Sequence, residues 1–251
     1  MQRAFLYGDL LIETIRVQNG IILHPDLHLK RLHHGFKLLN MEGTISLKDF
    51  EKKVQKALGK KKNAKVRVVA SRKGEGQYLS NSNRILFETE IHPLPPDKKY
   101  TTIPGIFNQI KKPCNQLSNL KSGNAIISVL ASIHAKKMGW EDAIILNEYG
   151  RICEATSSNI FIMRNDELFT PPLQEGCVMG IMRAVILQHK KELKKNGINL
   201  IQKKITIQAF NNADEVFFTN AIQGIIQTVI RGKTSIASLL TEKLKKTGNL
   251  L

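Results

Sequence analysis

Short apolar runs separated by turn residues recur along almost the whole chain, and such runs predict β-strands. Residues 4–23 predict a strand pair, with "FLYGDLLIETIRV" and "IILH" on either side of the turn Gln18-Asn19-Gly20. Two more strands, "KVRVVASR" and "RILFETEIH", are predicted around the Gly- and Ser-rich loop "KGEGQYLSNSN".

Helices are predicted between these strands. The segment "HPDLHLKRLHHGFKLLNM" begins with Pro25 and Asp26, which favour a helix start, and a second helix covers about 46–58 with Ser46 as its cap. The elements up to residue 92 therefore predict a two-layer α+β unit.

A third helix is predicted in "NLKSGNAIISVLASIHAKK", residues 119–137. From Gly123 onward, apolar residues recur at steps of three and four, which marks one face of an amphipathic helix. That face contains Ile126, Ile127, Leu130, Ile133 and His134. Lys121 is expected at the beginning of this helix.

The segment "PLPPDK" predicts a domain boundary, because its three prolines exclude a helix and leave a stiff, extended connection. We expect a small α+β domain over residues 1–92, a linker over 93–97 and a larger α+β domain over 98–251. The larger domain is predicted to contain a meander of "AIIL", "RICEAT" and "NIFIM", then "ELFTPP", a helix from about 180, and the strands "LIQKKIT", "EVFFTNA" and "GIIQTVI". The last residues, "KKTGNLL", are expected to form a frayed tail.

The composition indicates a globular protein, because 42% of the 251 residues are hydrophobic. No apolar stretch approaches the roughly 20 residues of a membrane helix, and the N-terminus lacks the pattern of a signal peptide. A soluble, cytoplasmic protein that does not bind membranes is therefore expected. Cys114, Cys153 and Cys177 form no C-x-x-C pair, so reduced thiols are expected rather than disulfides or a zinc site.

The formal net charge of +17 raises the question of nucleic-acid binding. The densest basic runs, "KALGKKKNAK" and "QHKKELKKNG", are typical of solvated helix ends and turns and contain few aromatic residues for base stacking. We therefore expect no nucleic-acid partner, and a basic surface that favours small anionic ligands.

Two residues could carry proton or amine chemistry. Lys121 could act as a covalent amine if its surroundings lower its pKa, although a surface lysine at a helix start is the commoner case. Glu154, in "GRICEATSSNIF", lies in a predicted strand, where a buried carboxylate would need a partner such as a protonated ring nitrogen. An exposed edge-strand glutamate is the alternative.

Three further segments could bind a phosphate. The loop before Gly180 leads into a helix whose free N–H groups and dipole attract anions, as every helix start does. "EVFFTNAIQG" ends in small residues around Asn220 that allow a ligand near the backbone, or Asn220 simply forms a turn. Arg31 could pair bidentately with a phosphate, or be a helix-surface charge. His24 and His28 could form a metal pair, but no third ligand is evident, so helix packing and capping is preferred and no metal is expected.

In combination, these segments resemble a known family over nearly the whole chain. "HLKRL", a lysine in "KSGN", "EATSSNIF", "FTPPL" followed by "GIMR", and "ADEVFFTNA" occur in the order seen in class IV aminotransferases, the fold type IV pyridoxal phosphate enzymes. The resemblance implies two α+β domains of the D-amino-acid aminotransferase type, with the cofactor pyridoxal 5'-phosphate held between them. Family members carry a further strand before the segment matching "RAFLYGDLLIET", so either this domain is trimmed or residues precede Met1.

The resemblance also implies roles for individual residues. Lys121 becomes the catalytic lysine that carries the cofactor, and Glu154 the partner of its pyridine nitrogen. The phosphate would be held by Arg31 and by two backbone segments. These segments are Ile181 with Met182, and Asn220 with Ala221.

Among family activities, the resemblance favours 4-amino-4-deoxychorismate lyase, which eliminates pyruvate to leave 4-aminobenzoate. An amino-acid transaminase of the D-amino-acid or branched-chain type is the alternative, and a catalytically silent basic binding module is a third hypothesis. Ile12 stands where D-amino-acid transaminases carry a tyrosine, which counts against that activity.

The substrate side of the site is expected near the 74–83 loop. Tyr78 falls where lyase members place a substrate-side tyrosine, but Gly76 or Gln77 replaces the arginine usual just before it. Arg72 and Lys73 are candidates to compensate. The resemblance implies a homodimer, in which this loop would reach the partner's site and Tyr78 would act in trans on a small anionic amino substrate.

Overall fold

The computed structural model describes residues 3–96, 100–101, 104–228, 237–238 and 240–242. The chain divides into two units, one made of Met1–Pro96 with Leu120–Asn124 and the other of Asp97–Asn119 with Ala125–Leu251. The predicted tail "KKTGNLL" lies outside the described residues.

The first unit is built on a four-stranded antiparallel sheet of order β2-β1-β3-β4. Its strands are β1 (Leu10–Gln18), β2 (Ile21–Ile22), β3 (Ala64–Arg72) and β4 (Ile85–His92). The predicted hairpin is confirmed, because Gln18 pairs with Ile21 across a two-residue turn in which Asn19 and Gly20 have φ of 53° and 81°.

The prediction of a strand over residues 4–7 is wrong. Helix α1 (Arg3–Tyr7) occupies this segment, and Gly8, with φ of 61°, separates it from β1. Strand β1 starts at Leu10, which pairs with Ser71 near the end of β3, so the residues before Leu10 have no strand beside them in β3.

Two helices cover one face of this sheet. They are α2 (Pro25–Leu38) and α3 (Leu47–Leu58). Ser46 caps α3 as predicted, since its Oγ accepts a hydrogen bond of 3.1 Å from the Asp49 N–H. Buried side chains from both layers form one hydrophobic core, with Ile15, Leu32, Phe50, Val54 and Val66 at its centre.

The second unit contains two sheets. The six-stranded sheet has the order β11-β10-β9-β12-β13-β5, and the three-stranded sheet has the order β6-β7-β8. In chain order the strands are β5 (Tyr100–Thr101), β6 (Gly105–Lys112), β7 (Ala143–Asn147), β8 (Ile152–Ala155), β9 (Asn159–Arg164), β10 (Glu167–Thr170), β11 (Asn199–Gln202), β12 (Glu215–Asn220) and β13 (Gly224–Thr228). Helices of this unit are α4 (Ile126–Lys137), α5 (Ile181–Gln188), α6 (Lys190–Lys195) and α7 (Ile207–Asn211).

The predicted meander of three strands is therefore split. β7 and β8 pair in the three-stranded sheet, whereas β9 belongs to the six-stranded sheet. A tight turn joins β8 to β9, and in it the Ala155 N–H donates to the Ser158 carbonyl. This turn brings the polar residues Ser158 and Asn159 next to the strand that carries Glu154.

Helix α4 differs from its prediction in two ways. It begins at Ile126, so Lys121 precedes the helix in an extended segment. Its fully buried residues are Ala131 and Ala135, which pack against Phe107 and Ile145. Of the predicted apolar face, Ile127 and His134 are partly buried beside them, whereas Ile126, Leu130 and Ile133 are exposed, Ile126 at 64% and Ile133 at 48%. Close packing on the sheet selected the small residues, because they let the helix backbone approach.

Among the described helices, none is long and apolar enough to cross a membrane. The two dense basic runs lie on exposed ends, as predicted, since the lysines at 60–62 and at 190–191 are exposed.

Candidate functional site

Lys121 is held by the free edge of β1 in the first unit. The Ile12 N–H donates to the Lys121 carbonyl at 2.8 Å, and the Gly123 N–H donates to the Leu10 carbonyl at 3.2 Å. A side chain at Gly123 would press on Leu10 at 3.1 Å and on the Gly8 backbone at 3.3 Å, so this close approach favours glycine. The sheet therefore fixes the Lys121 backbone beside the strand that carries Glu13.

Arg31 belongs to a buried cluster rather than to the helix surface. From α2, its Nε donates to Glu13 Oε1 at 2.8 Å and its Nη2 donates to Oε2 at 2.5 Å, a bidentate geometry. His28, one turn earlier on α2, donates from Nδ1 to the same Oε2 at 2.5 Å. Glu13 and His28 are each 1% exposed, and Arg31 is 7% exposed. The expectation of a fixed cation is met, with a protein carboxylate holding it in place.

The charges of this cluster follow from its contacts. Burial would raise the pKa of Glu13, but the Arg31 charge and the His28 and Arg31 hydrogen bonds outweigh it and hold the pKa at about 2. Burial lowers the pKa of His28, and the positive charges of Arg31 and Lys121 act in the same direction. Glu13 is therefore ionised and His28 neutral at pH 7. Lys121 lies near enough for its charge to act on His28.

Sequence reasoning missed Glu13, whereas the expected packing of His28 on its helix is confirmed by its burial. The sequence did contain a signal for Glu13. Glu13 lies two residues from Leu11 and two from Ile15, and this spacing places all three on the core face of β1. A carboxylate in such a position requires a buried donor, and α2 supplies two.

In the second unit, Glu154 is buried on β8, with 5% of the residue exposed. Two donors among the described residues bind its carboxylate. Lys112 Nζ lies 2.5 Å from Oε1, and the Val178 N–H donates to Oε2 at 2.8 Å. Burial lowers the pKa of the Lys112 ammonium, but the Glu154 charge outweighs it and the pKa is raised overall. β8 is an edge strand of the three-stranded sheet, but Glu154 is buried on it, so the alternative of an exposed glutamate is wrong. Lys112 is a partner of Glu154 that no sequence pattern indicated.

The loop that reaches Glu154 also shapes the start of α5. The Val178 carbonyl accepts from Asn159 Nδ2 at 2.9 Å, and a Cβ at Gly180 would lie 1.7 Å from Asn159 Oδ1. Helix α5 then begins at Ile181, and its first internal bond runs from the Ala184 N–H to the Gly180 carbonyl. The N–H groups of Ile181 and Met182 consequently have no acceptor within the helix, and Gly180 provides no side-chain cap.

The end of β12 adjoins the same loop. Thr219 pairs with Asn159 across the sheet, and Asn220 Nδ2 donates to Ser158 Oγ at 3.1 Å. Asn220 Oδ1 accepts from the backbone N–H groups of the following turn, which contains Ala221. The alternative of Asn220 as a turn former is therefore confirmed, and the approach of a ligand to its backbone stays a prediction.

Residues far apart in sequence therefore meet in the second unit. Asn159 links the loop at Val178 and Gly180 to the end of β12, and Val178 links that loop to Glu154. Thr219 Oγ1 is fully buried there and has no hydrogen-bond partner among the described residues. An unpaired buried hydroxyl beside a helix start fits a site that takes a polar ligand.

The residues predicted on the substrate side differ in their exposure and contacts. Tyr78 is 81% exposed, and its ring packs on Tyr7 at 5.6 Å. Arg72 cannot serve as the substituted substrate arginine, because its guanidinium binds Asp9, Asn83 and the carbonyls of Leu39 and Asn40.

Lys73 is exposed. Ile12 is partly buried, and its backbone N–H donates to the Lys121 carbonyl. Cys153 is fully buried beside Glu154, and burial raises the pKa of its thiol well above the usual range. A nucleophilic Cys153 is excluded on that ground.

Comparison with known proteins gives the family of this chain. Residues 10–229 match the amino-transferase class IV family. The chain belongs to the class IV aminotransferases, which are pyridoxal phosphate enzymes, and the sequence-based assignment is confirmed.

Individual relatives carry different names. A protein of Methanocaldococcus jannaschii, provisionally named a branched-chain-amino-acid aminotransferase, is 30% identical over 97% of this chain and 87% of its own length. The aminodeoxychorismate lyase of Bacillus subtilis is 27% identical over 89% of this chain and 78% of its own length. The branched-chain aminotransferase of Thermoproteus uzoniensis has a similar fold, with a TM-score of 0.87 at 23% identity, covering 98% of this chain and 88% of that one. The predicted fold type IV architecture is confirmed.

The residues present fit pyridoxal phosphate. In the second unit, the buried Glu154 carboxylate suits a ring N–H, and the N–H groups at the start of α5 suit a phosphate dianion. Gly180 leaves room where a Cβ would collide with Asn159.

Proposed function

We propose that this enzyme is a pyridoxal-phosphate-dependent 4-amino-4-deoxychorismate lyase, which releases pyruvate and leaves 4-aminobenzoate. The observation that carries the cofactor assignment is the buried Glu154 carboxylate, linked through Val178 and Asn159 to the start of α5. The "KSGN" spacing around Lys121 and the segment "TNAIQGI" favour the lyase within the family, as does the lyase relative from Bacillus subtilis.

Each residue has a definite task in this proposal. When bound, the cofactor withdraws electrons from the substrate carbon that loses its proton. Glu154 accepts the hydrogen bond of the ring nitrogen. The Ile181 and Met182 N–H groups, the Asn220–Ala221 backbone and Arg31 hold the phosphate. Lys121 would hold the cofactor through its side-chain amine and would move the substrate proton.

The buried Glu13 cluster supports the role of Arg31. Its Nε and Nη2 donate to the two oxygens of Glu13, which is a bidentate geometry. Because Glu13 holds the arginine in one orientation, binding a phosphate would require little further ordering.

A transaminase for branched-chain or D-amino acids is the second candidate. The relative from Methanocaldococcus jannaschii favours it, since that protein matches over nearly the whole chain and its provisional name is an aminotransferase. The two activities share the proposed site and differ in the fate of the substrate: the lyase expels a leaving group, whereas the transaminase needs a keto acid to complete its cycle.

The test is pyruvate release from 4-amino-4-deoxychorismate by cofactor-loaded protein without any keto acid. We expect release by the wild type and by Lys137→Ala, an exposed-lysine control, and none by Lys121→Ala. No pyruvate, together with conversion of the cofactor to its amine form by an amino acid, would replace the lyase with the transaminase. If Lys121→Ala retained full activity, the enzyme assignment of this site would fail.

A further inference from the structure

The ion pair of Lys112 and Glu154 fixes the carboxylate from one side. Lys112, at the end of β6, contacts Oε1 at 2.5 Å, and the Val178 N–H contacts Oε2 at 2.8 Å. The two side chains are 15% and 7% exposed, so water screens them little. Each oxygen keeps a second lone pair for another donor. The carboxylate orientation is thereby set by the protein itself.

Lys112 remains charged at neutral pH, because its pKa is raised although burial alone would lower it. The other titratable groups near it are the thiols of Cys153 and Cys177. Burial raises both thiol pKa values, that of Cys177 to about 11, so both thiols are neutral at pH 7. Among these groups, Glu154 is the one that balances the lysine charge.

We propose that Lys112 is a positioning residue whose ammonium, in contact with the Glu154 carboxylate, keeps the proton shared with the cofactor on the ring nitrogen. The inference rests on the proposed cofactor role of Glu154. A proton between a carboxylate and a pyridine nitrogen can reside on either atom. On the Glu154 oxygen it would lie next to the Lys112 ammonium, whereas on the nitrogen it lies farther away, so charge repulsion favours the nitrogen.

Substitutions that keep or remove the positive charge of Lys112 distinguish this role from purely structural support. Lys112→Arg keeps the positive charge. Lys112→Gln keeps an N–H donor without charge, and Lys112→Met retains the chain volume alone. Lys111→Gln is the matched control, because Lys111 is the neighbouring residue on β6 and is exposed.

The experiment loads each full-length variant with pyridoxal phosphate labelled with ¹⁵N in the ring and records the ¹⁵N chemical shift. We expect the wild type, Lys112→Arg and Lys111→Gln to give the resonance of a protonated ring. Lys112→Gln and Lys112→Met should move it toward the unprotonated position. Two uncharged variants are used so that one poorly folding protein does not decide the result, with folding checked by circular dichroism.

The outcomes separate the two proposals. A protonated-ring resonance in the folded, uncharged variants would overturn the role of Lys112 and leave the cofactor assignment intact. A wild-type protein that fails to retain the labelled cofactor would overturn the proposed function, and the role of Lys112 with it. Loss of the protonated state in Lys112→Arg as well would also count against the proposal, since the charge is then not what matters.

Discussion

Replacing Glu13 by glutamine removes the anion of the buried Glu13–His28–Arg31 cluster while preserving its size. The Arg31 charge then has no carboxylate partner in the cluster. The pKa of Glu13 falls from its ordinary 4.5 to about 2 on folding. A shift of that size corresponds to about 3 kcal/mol of stability at pH 7, which is in the range for breaking one partner of a buried ion pair. We expect Glu13→Gln to lower the unfolding free energy by about this amount.

The pH dependence gives the prediction its sign. Since the folded pKa of Glu13 lies below the unfolded one, its contribution is fully present above about pH 4.5 and is lost as the pH falls toward 2. The wild type and Glu13→Gln should therefore converge in stability as the solution becomes acidic. His28 adds in the same direction: burial lowers its pKa below 6.5, so the folded state loses stability as the pH falls below that value.

The assay is urea denaturation followed by circular dichroism at pH 7, 5 and 3. Glu90→Gln is the control, because Glu90 makes an exposed ion pair with Arg67 and should change stability little. An equal effect of the two substitutions, or a Glu13→Gln difference that persists unchanged at pH 3, would refute the reasoning. Cofactor binding measured on the same samples reports whether Arg31 has also lost its orientation.

Three further predictions concern other parts of the chain. Ser46→Ala should lower the unfolding free energy by about 1 kcal/mol, because the cap of α3 is lost, and Ser46→Thr should restore most of it in the same urea assay. Gly180→Ala should weaken pyridoxal phosphate binding in an absorbance titration, since its Cβ would lie 1.7 Å from Asn159 Oδ1; unchanged affinity would contradict the role of this loop. The exposed apolar face of α4 should be the contact of a homodimer, so sedimentation should give a dimer for the wild type and a monomer for Ile133→Lys.

Local patterns predicted most of the secondary structure because the signals act over a few residues. The Asn19-Gly20 turn, the Ser46 cap and the Pro25 helix start each depend on backbone preferences that neighbouring residues already determine. Helix α4 shows where such reasoning ends. Its apolar stripe correctly indicated a helix, but the packing against β6 and β7 selected Ala131 and Ala135 as the buried face.

The candidate site divides in the same way. Lys121, Arg31 and Glu154 were accessible from motifs, because the family resemblance depends on the order of short segments along the chain. Their partners Glu13 and Lys112 were not, since they lie 18 and 42 residues from Arg31 and Glu154. Only the paired strands and the helix packed on them bring these charges within hydrogen-bond distance.

By itself, then, the sequence determined the family and the cofactor class. The tertiary structure decided which charges are paired and how they are oriented. It pairs Arg31 with Glu13, and it places the Glu154 carboxylate between Lys112 and the Val178 N–H. The physical reason is that burial makes an isolated charge unfavourable, so a partner is required, and chain topology alone selects which residue it is.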